Sequence, residues 1–135
     1  MKAGKLAVLA STAVRRYHVG MNPHFPGKRR GTAWFVSRHP GAIEWAKRQC
    51  LAIDRWVEHL DPAEVNADDI VIGTLPVNLA AEVCKRGARY LHLSLKVPPE
   101  WRGRELSSDD LQQIDAQIVS YCVAPLTHDF PAELA

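Results

Sequence analysis

Two short stretches, Ser37-Arg38-His39-Pro40-Gly41 and Gly73-Thr74-Leu75-Pro76-Val77-Asn78, each follow an apolar run and lead into helix-like spacing. Arg38 brings a permanent charge whose fork of donors matches phosphate oxygens. Beside it, His39 is the side-chain type best poised to move a proton near neutral pH. Ser37 adds a hydroxyl, and Gly41 would let a ligand approach the backbone N–H groups that open the next helix. In the second stretch Gly73 permits close approach, Thr74 can donate or cap, and Asn78 could hydrogen-bond a base edge or a ribose. Both stretches also read as plain helix entries, with Ser37 as a cap, His39 packed, and Pro76 preset for a first helical turn. Neither is a GxGxxG fingerprint or a Walker loop, so neither a dinucleotide nor a nucleoside triphosphate is indicated.

Other candidates are weaker. His92 lies inside an apolar run and reads as an interior histidine with its hydrogen bonds satisfied, while Ser94, at the end of that run, would reach the same edge as the two loops. Arg102, Arg104 and Glu105 read first as a solvated face, with a lid or an interface as the alternatives. His59-Leu60-Asp61 has no second ligand group at a metal-binding spacing. Asp68-Asp69 and Asp109-Asp110 read as turn and cap residues, so no metal and no cofactor is expected. The three cysteines, Cys50, Cys84 and Cys122, are odd in number and outside any CxxC pattern, which suits reduced, buried thiols in a cytoplasmic protein.

The spacing of apolar residues says how these groups are held. Ala33–Val36 is a short β-favouring run. Pro40 then starts a helix in which Ile43, Ala46 and Cys50 recur at helical intervals. Residues 55–60 read as a second strand, and Asp61-Pro62-Ala63-Glu64 as a capped helical turn. Ile70–Gly73 is apolar on both faces, as an interior parallel strand should be. A helix from Pro76 to Arg86 puts Leu79, Ala80, Val83 and Cys84 on one face, with Gly87 at its exit, and residues 90–95 form the fourth strand. After a polar loop over 96–106, Ser107-Ser108-Asp109-Asp110 matches a capping box before a helix lined by Leu111, Ile114, Ile118, Tyr121 and Cys122.

This alternation predicts a single, doubly wound α/β domain over residues 32–124 with a mostly parallel sheet, whose strand-end loops collect at one edge where ligands bind. The second and third strands are joined by only about ten residues, short for a parallel crossover. Either a one-turn helix bridges them or the second strand runs antiparallel.

At 135 residues the chain suits one domain with one core. No apolar run approaches the roughly 20 residues of a membrane-spanning helix, so no membrane partner is expected. The net charge of +2 conceals an asymmetry: seven of the seventeen Lys/Arg and none of the fifteen Asp/Glu fall in residues 1–31, leaving residues 32–135 at −5. Such a domain is poorly suited to long duplex nucleic acid, where neutralising phosphates dominates affinity, but it can still hold a small anion with a few aimed donors. Residues 1–31 read as a flexible basic N-terminal extension, neither a secretory signal nor part of the fold, and residues 125–135 as a peripheral tail.

The stretches WFVSRHPGAIEW, VEHLDP, IVIGTLPVNLAAEVCKRGARYLHLSL and RGRELS, spread over residues 32–122, resemble the Csx-sixteen proteins, small accessory proteins of type III CRISPR systems. Two places depart from that family's pattern: Cys50-Leu51, where glycine is expected, and Lys96, where an acid is. The resemblance implies a Rossmann-like homodimer acting on cyclic oligoadenylate, the second messenger of type III defence. It implies a ring nuclease that opens cyclic tetra-adenylate without a metal, through attack by the ribose 2′-OH, and so switches the response off. In that setting Arg38 and His39 would be catalytic, and Ser37, Thr74, Asn78 and Ser94 would hold ribose and adenine, with Gly41 and Gly73 giving access. Two other readings stay open: a module that binds cyclic oligoadenylate without cleaving it, and a regulatory CRISPR subunit docking through residues 102–106.

Overall fold

The computed structural model describes residues 31–126 and 131–134. The basic extension read over residues 1–31 lies outside the described residues save for Gly31. Ala33-Trp34-Phe35-Val36 forms β1, buried along its whole length. It leads into α1 (Pro40–Arg48), which opens on a proline whose missing N–H costs nothing at a helix start. β2 (Arg55–Val57) follows, then a 3-10 turn at Pro62–Glu64 capped by the Asp61 carboxylate, which accepts from the Ala63 N–H at 3.0 Å. β3 (Ile70–Gly73), α2 (Val77–Lys85) and β4 (Arg89–Ser94) complete the parallel part of the sheet. The chain ends its fold with α3 (Ser108–Gln113) and β5 (Gln117–Tyr121).

The five strands lie in the order β2-β1-β3-β4-β5, with β5 alone antiparallel to its neighbour. This is the doubly wound α/β architecture expected, with apolar clusters on both faces. Phe35, Ile70, Ile72, Leu91 and Leu93 pack with α1 and α3, while Trp34, Val36, Val71 and Tyr90 pack with α2 and with Leu60 and Val65. Below the sheet, at its amino edge, buried Asp69 ties the entry of β3 to β1. Its carboxylate accepts from the Thr32 N–H (2.9 Å), the Trp34 Nε1–H (3.1 Å) and the Asn66 N–H (2.9 Å). Asp69 therefore closes the turn over residues 66–69, its N–H donating to the Asn66 carbonyl at 3.1 Å, and anchors the sheet as well.

Three expectations need correcting. The second strand stops at Val57, short of the expected residue 60; of the two alternatives for it the parallel one holds, with residues 58–69 passing only β1 and bridging to β3 through a single 3-10 turn. The last helix is six residues long, ended by Asp115 in left-handed backbone (φ 57), and Ile118 and Tyr121 belong to β5 instead. The cysteines are not buried thiols: Cys50 and Cys122 are exposed and Cys84 is partly covered, its sulfur accepting from the Val123 N–H at 3.3 Å. Among the described residues, no helix is long and apolar enough to cross a membrane.

Candidate functional site

Chain direction sets where a site can form. From β1 the chain moves outward to β2, and from β3 it moves the other way to β4, so the loops after β1 and β3 diverge and leave a crevice at the carboxyl edge between them. A cavity of about 700 Å³ occupies that crevice. Its base is apolar, built from Val36, Ala42, Leu79, Leu93 and Leu111. Polar groups ring the mouth: Ser37, Arg38 and His39 after β1, Glu58 and His59 after β2, Thr74 after β3, and Arg104 with Glu105 ahead of α3. Its volume falls in the range of small-molecule sites, which combine an apolar body with a few aimed polar groups.

The two loops reach this cavity by different local means. In the first, the Ser37 hydroxyl accepts the His39 N–H at 3.1 Å, and the His39 carbonyl accepts from the N–H groups of Ala42 and Ile43. Ser37 is thus a local turn residue as well as a wall residue. Arg38 is exposed and has no hydrogen-bond or ion-pair partner among the described residues, so its donors are free for a ligand. The His39 ring has a partner: Nδ1 lies 3.1 Å from Glu105 Oε2 and 3.4 Å from Oε1.

In the second loop Tyr90 is the hub. Its hydroxyl accepts the Leu75 N–H at 2.9 Å, donates to the Gly73 carbonyl at 3.2 Å, and lies 2.7 Å from His92 Nδ1. Burial pushes the Tyr90 phenol up, opposed by the Leu75 N–H, and burial pushes the His92 imidazole below its ordinary value. His92 also meets Tyr121 edge-on; it is hydrogen-bonded through Nδ1 as expected, but half-buried rather than interior. The Thr74 hydroxyl donates to the Leu93 carbonyl at 3.1 Å, which leaves its oxygen free to accept from a ligand.

Of the sequence candidates, Ser37, Arg38, His39, Gly73 and Thr74 are brought together around the cavity. Gly41, Asn78 and Ser94 are not among its lining residues. Gly41 is buried, and a Cβ there would strike the Leu106 carbonyl oxygen, so it is small to let the segment ahead of α3 pack rather than to admit a ligand. A Cβ on Gly73 would come 2.5 Å from the Val36 carbonyl oxygen, which gives that glycine a packing reason too. Ser94 sits at the end of β4 opposite Gln117 of β5, and Asn78 is exposed on the first turn of α2.

Sequence reasoning missed Glu58, weighed His59 only as a metal ligand, and set Arg104 and Glu105 first on a solvated face. Their signal was position, since each ends or follows an element pointing to the carboxyl edge, but a three-residue β2 and an irregular 96–106 segment gave no periodicity to place them. Arg104 is held by stacking on Trp101, 4.5 Å from the ring centroid, and by Asp110 at 3.5 Å. Among the described residues, no three His, Cys, Asp or Glu side chains gather as a metal ion would need.

No curated protein and no solved structure gives a significant match to the chain. Residues 34–124, which span every strand and helix described above except the first residue of β1, match the model of a family described as "Putative CRISPR-associated protein (Cas_VVA1548)". The chain belongs to this family of CRISPR-associated proteins.

Proposed function

We propose that the protein is a ring nuclease that opens cyclic oligoadenylate, with cyclic tetra-adenylate as the ring of choice. The observation that carries this reading is the juxtaposition of a free Arg38 guanidinium with the His39 imidazole at the mouth of one crevice. Membership of a CRISPR-associated family and the resemblance to the Csx-sixteen proteins support the choice of ligand. The chemistry needs no enzymic nucleophile, because each linkage carries its own. The ribose 2′-oxygen attacks the adjacent phosphorus, the bond from phosphorus to the 5′-oxygen breaks, and a 2′,3′-cyclic phosphate remains on a linear product.

His39 takes the 2′-hydroxyl proton, and the departing 5′-oxygen takes one from solvent water at the open mouth. Arg38 binds the non-bridging phosphate oxygens, where negative charge builds. The Ser37 and Thr74 oxygens contact ribose within the cavity, and exposed Asn78 meets the part of the ring that extends beyond it. A ring of four identical units fits a two-fold homodimer presenting each loop twice.

Purified Arg38→Ala and His39→Ala variants test the assignment in a cleavage assay with cyclic tetra-adenylate. Removing one well-placed charge-stabilising group costs about 10²–10³ in rate. Both variants are expected to lose at least that much while unfolding at the wild-type temperature. Wild-type rates in both would place the chemistry elsewhere, and tight binding by a wild-type protein that cannot cleave would mark it as a sequestering module.

A further inference from the structure

An ionised carboxylate only accepts hydrogen bonds. For neutral His39 to bond Glu105, its ring proton must therefore be on Nδ1, the atom 3.1 Å from Glu105 Oε2, and the lone pair must be on Nε2. We propose that Glu105 is a positioning residue for His39: it fixes the Nδ1–H tautomer and leaves Nε2 as the atom that takes up the proton. The inference rests on the ring-nuclease reading for its catalytic consequence, though not for the tautomer itself.

The side chains of both partners are more than half exposed (59% and 60%), so attraction between charges adds little here. The geometry comes from how firmly each backbone is fixed. On the His39 side, the residue's N–H is held by Ser37 and its carbonyl begins α1. On the Glu105 side, the two flanking residues are both anchored. The half-exposed Arg104 guanidinium lies over the Trp101 ring and 3.5 Å from Asp110, and Leu106 packs against the core while its carbonyl fills the space left by Gly41. Directly after it, Ser107 and Asp110 close a capping box with hydrogen bonds of 2.9 and 3.1 Å. Glu105 thus hangs over the β1 loop from a segment clamped at both ends, and Gly41 is the contact point between the two.

Tautomers are read directly from long-range ¹H–¹⁵N correlation spectra of the histidine rings at a pH where they are neutral. In the wild-type chain His39 is expected as Nδ1–H. Glu105→Gln keeps a carbonyl acceptor and should keep that tautomer, whereas Glu105→Ala should revert to the Nε2–H form that free histidine prefers. With cyclic tetra-adenylate, Glu105→Ala is expected to lower kcat about tenfold at nearly constant KM, and Glu105→Gln to recover most of that loss. Dispersed amide spectra establish that each variant is folded. An Nε2–H His39 in the wild type, or an Nδ1–H His39 in Glu105→Ala, overturns the proposal. Absence of cleavage by the wild-type protein would instead overturn the ring-nuclease reading, with the tautomer still deciding the role of Glu105.

Discussion

Cys50 has φ 58 just after the end of α1, in the left-handed region where a side chain is strained and glycine is not. The departure from glycine noted there in the sequence therefore has a conformational cost. Cys50→Gly is expected to stabilise the fold by about 0.5–1 kcal/mol, read as a higher midpoint in urea; an unchanged or lower midpoint would contradict it. His92 gives a pH signature. Burial lowers its folded-state value below the ordinary 6.5 of the unfolded chain, so the unfolded chain binds the proton more readily. Stability is full above about pH 6.5 and falls as the pH drops from there towards the lowered folded value. His92→Gln should flatten that slope in urea titrations between pH 7.5 and 5.5, and an equally steep slope would assign it to other groups. Arg38, His39 and Thr74 could be picked from residue type and from their place after an apolar run. Glu105 could not, because its meaning depends on a partner 66 residues away.

At the scale of elements, the contact between α1 and the segment ahead of α3 decides whether the cavity has its fourth wall. Gly41→Ala forces a Cβ against the Leu106 carbonyl, and overpacking of this kind costs about 1–3 kcal/mol. Chemical denaturation should register that loss, and the same variant should lose cleavage through displacement of Glu105. A neutral result would mean that the segment moves freely. Ser107→Ala, which deletes the cap of a six-residue helix, should cost about 1 kcal/mol. β1, α1, β3, α2 and β4 were legible because their apolar spacing is regular and their ends carry Pro or Gly. β5 was not. Leu111, Ile114 and Ile118 fit one helical face, and only left-handed Asp115 and the β-branched pair Ile118-Val119 say that the helix has ended. A strand added at the sheet edge declares itself through its pairing with β4, which is a long-range fact that local spacing does not carry.

For the whole molecule, the reversal of strand order between β1 and β3 is what turns two unremarkable loops into two walls of one crevice. α/β alternation alone predicts that the two loops share one sheet edge; the reversal that sets them on either side of a crevice is a property of the strand order. The acidic balance of residues 32–135 beside a single free arginine at the cavity suits a small anionic ligand over a polynucleotide. The measurement that tests this most directly is incubation of the purified full chain with cyclic tetra-adenylate in excess EDTA, followed by chromatography and mass analysis of the products. Linear oligoadenylate ending in a 2′,3′-cyclic phosphate is the expected result. Cyclic tetra-adenylate recovered intact after prolonged incubation at high protein concentration would contradict it.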